Sequence, residues 1–220
     1  MLISYTHKFI FFHVAKVAGL SIRKALEDYV QEPEKFKVKR PPKILNGKPN
    51  RLYEMWDAFM THVKAKDARK ELPGEIYDGF YKFAFVRNPW DWQVSMYHFI
   101  LKETDHVSHA TVKSMDSFEE YLAWVIDSKK SPYAKGATKF QKDMIVDEKG
   151  RIIVDFVGRY ENLAEDFQKV CRTVGIEASL PRINQSVHQD YRAYYNDGTR
   201  EMVAEYFKKD IELFGYTFDS

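Results

Sequence analysis

One cysteine in 220 residues, Cys171, leaves no partner for an intramolecular disulfide, so a packed core has to hold the fold. Cys171 follows Val170 in a run with helical apolar spacing, which reads as a buried, inert thiol. No window approaches ~18 apolar residues, so nothing reads as a membrane span. The apolar run after Lys8 is short and no small-residue cleavage site follows it, so no secretory leader is read and a cytoplasmic, membrane-free protein is expected. Charge of one sign is scarce too. The net charge of +2 is too small to imply a nucleic-acid partner. Asp105, His106 and His109 share a polar loop with nothing to complete a metal site, and no metal is expected.

What the chain has is aromatic bulk: 16 phenylalanines and 14 tyrosines in a composition that is 45% hydrophobic and 30% charged, which is globular. That length and composition predict one domain over residues 1–220. Apolar strand-like runs alternate with helical patterns, so the expected fold is α/β, with a mostly parallel sheet flanked by helices. Strands are expected at Phe9–Phe12, Phe83–Val86 and Phe156–Gly158, with a β-hairpin over 144–154 turning at Gly150. Residues 31–50, with four prolines and six Lys or Arg, read as a basic surface excursion that turns at Asn46-Gly47. Helices are expected over 51–71 (with Trp56 on its apolar face), from Pro89, from Phe118, behind Asn162 and before Gly215. Asn162 and Glu165 have the spacing of a capping box.

The most informative stretch is Lys8–Leu26, KFIFFHVAKVAGLSIRKAL. An apolar strand runs into a turn holding Lys16, Ala18, Gly19 and Ser21, and a helix follows. Strand, tight turn and helix together make a phosphate cradle, because backbone N–H groups at the helix start face the anion. The lysine precedes the glycine by three residues, so this is not the G-x-x-x-x-G-K-[ST] loop of ATPases. Taken alone, the stretch fits a structural turn with a solvated lysine equally well.

A second stretch, Phe83–Phe99, FAFVRNPWDWQVSMYHF, tips the balance. Arg87 lies just past a strand end, Asn88-Pro89 is a helix start, and Ser95 lies roughly 10 Å along that helix from Asn88. Arginine offers a planar fork suited to phosphate, and the serine hydroxyl adds a further bond. The alternative is an arginine that pairs with an acid. Two anion sites at two strand ends suggest a ligand with two separate anionic ends.

The motifs carry a family resemblance. F-x-H-V-A-K-V-A-G-L-S-I resembles the 5′-phosphosulfate-binding loop of Golgi-type carbohydrate sulfotransferases and their bacterial relatives. F-A-F-V-R-N-P-W-D resembles the start of their 3′-phosphate-binding element. D-F-V-G-R-Y-E-N-L (155–163), L-P-R-I-N-Q-S (180–186), Y-Y-N-D-G-T-R (194–200) and D-I-E-L-F-G-Y (210–216) follow in the family's order. The resemblance implies a soluble, bacterial-type member with a P-loop-like three-layer fold and no metal. It also implies a 3′-phosphoadenosine 5′-phosphosulfate (PAPS) donor and a small-molecule or glycan acceptor. Lys16 would contact the 5′-phosphosulfate and neutralise the leaving oxygen. The N–H groups of Val17, Ala18, Gly19, Leu20 and Ser21, with the Ser21 hydroxyl, would hold the 5′ end, and Arg87 and Ser95 the 3′-phosphate. The family loop often reads K-T-A-G-T-S. Here Val17 and Leu20 replace both threonines, and each lost hydrogen bond to a charged group costs ~1.5–3 kcal/mol if nothing compensates.

A hydroxyl acceptor calls for a general base, and histidine titrates in the right range. His62, in M-T-H-V-K-A between the two anion motifs, stands where the resembling enzymes carry a histidine assigned that role. His13 reads as structural. Arg159 either reaches the site or pairs with Glu161, and whether Ser186, His188 and Arg192 line it stays open at the level of sequence. Trp56, Trp90, Trp92 and Trp124 are read as core or as sugar platforms. Two other readings stay open, a catalytically silent 3′,5′-adenosine-bisphosphate-binding protein and a nucleotide kinase-like phosphotransferase.

Overall fold

A computed structural model describes residues 1–31, 42–50, 52, 61–127, 140–181, 183 and 189–220. Trp56, Ser186, His188 and residues 53–60 of the expected 51–71 helix lie outside them. Phe9–Phe12 (β2) is wholly buried, as a run of four apolar residues demands. It pairs in parallel with Tyr81–Val86 (β5), setting Phe11 opposite Phe83, and β5 pairs in parallel with Phe156–Arg159 (β6). Leu2–Ser4 (β1) adds an antiparallel edge, giving the order β1-β2-β5-β6. Two-residue strands at Ile44–Leu45 (β3) and Lys48–Pro49 (β4) form a separate small hairpin, which turns where Asn46-Gly47 predicts. Phe9, Phe11 and Phe83 stack across the central pair. On β6, a Cβ at Gly158 would lie 2.4 Å from the Phe85 ring, so only glycine lets that ring lie against the neighbouring strand.

The helices are Gly19–Ala25 (α1), Ala65–Glu71 (α2), Gly74–Tyr77 (α3), Pro89–Lys102 (α4), His109–Lys113 (α5), Phe118–Ile126 (α6), Leu163–Val174 (α7), Asp197–Tyr206 (α8) and Lys208–Phe214 (α9). α7 packs on β5 and β6, while α4 carries α5, α6 and α8 against it. α4 starts as expected: the Asn88 side chain accepts from the Trp90 N–H and Pro89 is the first helical residue. Ser117 caps α6, and Gly175 and Gly215 end α7 and α9 in the left-handed region.

Three local expectations are corrected. The hairpin over 144–154 reduces to one bridge, Val146 with Ile152. Gln141–Met144 coils into a 3₁₀ turn, and the Asp147 carboxylate takes the N–H groups of Lys149 and Arg151, so side chain and backbone share the pairing. The capping box at Asn162 does not form, because Tyr160–Asn162 is itself a 3₁₀ turn. A capping box appears instead at Asn196 and Thr199. The single C-terminal helix breaks at buried Phe207, which divides α8 from α9.

Asp210 of α9 is fully buried and accepts the N–H groups of Gln141 (2.8 Å) and Lys142 (3.2 Å). Burial pushes its carboxyl up from 3.8 to about 7. Between those values the folded protein binds a proton that the unfolded chain has released, so stability falls as pH rises from about 4 to about 7. Asp210→Asn is expected to flatten that part of the profile, compared as urea midpoints at about pH 5 and about pH 7. An unchanged difference would assign the slope to another group.

Candidate functional site

The turn between β2 and α1 is strained and pinned. Lys16 (φ 61°) and Ala18 (φ 60°) are both left-handed, two of the four non-glycine residues with positive φ among those described. Each costs ~1–2 kcal/mol without glycine, and such strain persists only where the surroundings impose it. Here they do. The His62 Nδ1–H donates to the His13 carbonyl (3.2 Å), the Trp92 indole N–H to the Ala15 carbonyl (2.8 Å) and an Arg87 Nη1–H to the Lys16 carbonyl (3.3 Å). With its carbonyls tied back, the turn leaves the N–H groups of Ala18, Gly19, Leu20 and Ser21 without a hydrogen bond among the described residues. Four consecutive unpaired donors at a helix start are an anion site in waiting.

The Lys16 ammonium lies 4.1 Å over the Phe99 ring and pairs with no carboxylate among the described residues. Burial first, and then the Arg87 charge, lower its pKa from 10.5 to about 8. Trp92, Ser95 and Phe99 follow one another at i, i+3 and i+7 on α4, so buried Ser95 lies on the stripe that touches the turn at both ends.

The His62 and His13 rings lie against each other, 4.9 Å between centroids and tilted by 34°. Because a carbonyl can only accept, the neutral His62 ring carries its proton on Nδ1 and leaves Nε2 with a free lone pair. Burial draws His62 below its ordinary value of 6.5, so the ring is neutral near pH 7. His13 is structural, as expected. Burial, followed by the His62 charge, lowers its pKa to about 2, and its Nδ1 is buried without a partner among the described residues. A Cβ on Gly19 would lie 1.8 Å from His13 Nε2, which is why the turn has glycine there.

Arg87 is buried and its fork is largely engaged. Nε and Nη2 bond the two Asp91 oxygens at 2.6 and 2.8 Å, and the guanidinium lies 4.0 Å over Tyr160. The Gln141 side chain brackets the Arg87 backbone, accepting from its N–H and donating to its carbonyl. Arg87 is thus both the neighbour of Lys16 and a structural post. Asp91 was readable as its i+4 partner, whereas nothing in the sequence marks Gln141, which arrives from 54 residues away.

The remaining expectations sort cleanly. Arg159 does not pair with Glu161: it donates to the carbonyls of Phe214 and Gly215 and stacks on Tyr216. Glu161 instead accepts from the Asn88 N–H (2.7 Å) and the Tyr216 hydroxyl (3.0 Å). Arg192 pairs with Asp190 and Asp219 on the surface. Trp90 and Trp92 are buried core residues, so neither offers a face to a sugar. The Ser21 hydroxyl accepts from the Ile183 N–H at 3.4 Å.

Comparison with known proteins decides the lineage. The sequence model described as "Sulfotransferase family" matches residues 1–217. The chain belongs to the sulfotransferase family. Sulfuryl transfer is the activity that membership brings. An uncharacterized protein from Archaeoglobus fulgidus is 31% identical over 127 residues, 56% of this chain and 92% of that one. Among solved structures, the mouse sulfotransferase SULT7A1 complexed with PAP superposes with a TM-score of 0.52 at 13% identity, covering 95% of this chain and 85% of that one. A sulfotransferase from Alicyclobacillus acidocaldarius gives 0.49 at 15% identity, covering 96% and 97%. The family match and the superposition on SULT7A1 give the fold as the P-loop-like sulfotransferase fold.

Within that fold the two departures from K-T-A-G-T-S differ in kind. Val17 is fully buried and its side chain belongs to the core, whereas Leu20 is 54% exposed on the first turn of α1. Gly19→Ala is expected to destabilise the sulfotransferase by ~1–3 kcal/mol, because His13 is held between the Phe11 and His62 rings and has little room to retreat. Thermal melts check this. Adding His13→Ala should recover part of the loss, and a strictly additive double variant would refute the contact.

Proposed function

We propose that this protein transfers the sulfuryl group of PAPS to a hydroxyl acceptor, most simply on a carbohydrate. The observation that carries the reading is the pinned turn, with four N–H donors and a half-buried lysine beside them that have no hydrogen-bond or carboxylate partner among the described residues. The fit is good at the 5′ end and partial at the 3′ end. Ala18 to Ser21 and Lys16 would hold the 5′-phosphosulfate. Arg87, with two N–H groups beyond those Asp91 and Lys16 occupy, and Ser95 would hold the 3′-phosphate.

When bound, PAPS supplies a sulfuryl group already joined to a good leaving group. The residues of this chain then have three tasks. The turn and α4 fix the donor in line with the acceptor. His62 Nε2 receives the acceptor hydroxyl's proton as the new S–O bond forms. Lys16 Nζ neutralises charge on the 5′-phosphate oxygen as the old S–O bond breaks, a transition-state interaction of the oxyanion-hole type.

Calorimetry should show 3′,5′-adenosine bisphosphate binding without added magnesium, and a preference for magnesium-ATP would sink the reading. Lys16→Ala should lower kcat by ~10²–10³-fold and His62→Ala by ~10²–10⁴-fold, the latter with some loss of donor affinity as well, because His62 also holds the His13 carbonyl. Labelled-sulfate transfer to a glycan panel measures both.

The pH profile follows from the two groups. The base has to be neutral, so kcat/KM rises through the lowered His62 value, below 6.5. The lysine has to be charged, so kcat/KM falls as pH passes about 8. Lys16→Arg is expected to move the alkaline fall upward, and a fall unmoved by that change would assign it elsewhere.

A further inference from the structure

A half-buried ammonium with no carboxylate beside it has to draw its stabilisation from elsewhere. Lys16 is in that position. Burial takes away water, and the Arg87 guanidinium and the Lys102 ammonium add like charge. Two features act the other way. The Glu103 carboxylate favours the charged amine, and Arg87 is itself paired with Asp91, which offsets part of its charge. Directly under the ammonium lies an uncharged group, the face of the Phe99 ring, 4.1 Å from Nζ to the ring centroid.

We propose that Phe99 is a positioning residue for Lys16, its ring face holding the ammonium charged and beside the turn in the role a carboxylate would otherwise fill. The face of an aromatic ring carries negative partial charge and attracts a cation within ~6 Å, more strongly where water is excluded. A carboxylate in that place would repel an anionic ligand at the turn, and would be left as an uncompensated buried charge if the lysine turned to that ligand. A ring has neither drawback. It attracts the ammonium while the site is empty and carries no net charge of its own.

The fold fixes the ring as firmly as it fixes the turn. Phe99 follows Ser95 by one turn of α4, on the stripe that begins at Trp92. The His106 ring meets it nearly at a right angle, 5.7 Å between centroids and 81° between planes. The loop that carries His106 is tied back to the end of α4. The Glu103 N–H donates to the Phe99 carbonyl (2.9 Å) and the His109 Nδ1–H to the Ile100 carbonyl (2.9 Å), while His106 Nδ1 accepts the Ser108 N–H (3.1 Å). Burial draws His106 below its ordinary 6.5, so near pH 7 this neighbour of the ring adds no positive charge against Lys16. The catalytic consequence, that Phe99 helps set where activity falls on the alkaline side, rests on the proposed function; the contact itself does not.

The test places mono-, di- and trifluorinated phenylalanine at position 99 of the full chain by nonsense suppression. Fluorine draws electron density off the ring face while barely changing the ring's size, so a ring that only fills space would leave the lysine unaffected. The Lys16 amine is titrated by NMR through its ε-methylene signal, identified by its loss in Lys16→Arg. Its midpoint is expected to fall with each added fluorine, by ~0.4–1.5 pH units for three, the equivalent of a lost cation–π contact. The same replacements at Phe118, whose ring packs on Tyr97, Tyr121, Tyr194 and Tyr195, should leave the midpoint where it is. Should the trifluorinated protein melt early, the lighter two carry the comparison. A midpoint that stays fixed through the series, one that rises, or an equal fall from the Phe118 series would each overturn the proposal. A midpoint that falls as expected in a protein that fails to bind 3′,5′-adenosine bisphosphate would uphold it and count against the PAPS reading alone.

Discussion

The buried pair between Arg87 and Asp91 is the constraint on which the site depends. Its side chains are only 5% and 13% exposed, so both charges are desolvated and each requires the other. The pair fixes the guanidinium where Nη1 can take the Lys16 carbonyl, and Gln141 fixes the backbone behind it. Asp210 holds Gln141 in turn. A chain of buried polar contacts thus runs from α9 to the turn after β2, and it crosses the sheet end where β5 gives way to α4. Such a network is stiff when every member is satisfied, and removing any one leaves a buried group unpaired.

That stiffness explains how two left-handed residues without glycine survive in one turn. His62, Trp92 and Arg87 each hold a carbonyl, and together they hold the peptide planes in one orientation. The N–H groups are then held without partners among the described residues before any ligand arrives, so little of a ligand's binding free energy is lost in ordering them. Preorganised donors of this sort are the largest lever available to an enzyme that has only charge and position to work with.

The frame was legible in the sequence where one physical effect dominates. Phe9–Phe12 and the strand around Phe83 were readable because a short apolar run has few alternatives, and Asn88-Pro89 marked the start of α4 because both residues favour it. That Lys16, Arg87 and His62 gather at one turn was legible through motif order and resemblance. What could not be read was the wiring. Gln141, the bond from Trp92 to Ala15 and the cradling of Glu161 by Asn88 and Tyr216 all join residues far apart in the chain, where local pattern carries no information. The hairpin at 144–154 narrowed to one bridge and the cap at Asn162 did not form for one cause: side chains and 3₁₀ turns competed for the same backbone groups.

Trp92 adds a practical consequence. Its indole N–H is bonded to the Ala15 carbonyl at 2.8 Å, and its ring meets Phe207 edge-on in the buried interior. The side chain that secures the turn is therefore also a fluorophore whose only polar handle is the turn itself. Any displacement of that carbonyl alters the hydrogen bond at the indole nitrogen, and so the emission of a residue otherwise shielded from water. With Trp56, Trp90 and Trp124 replaced by phenylalanine, the protein would carry its own optical gauge of whether the turn is held or released.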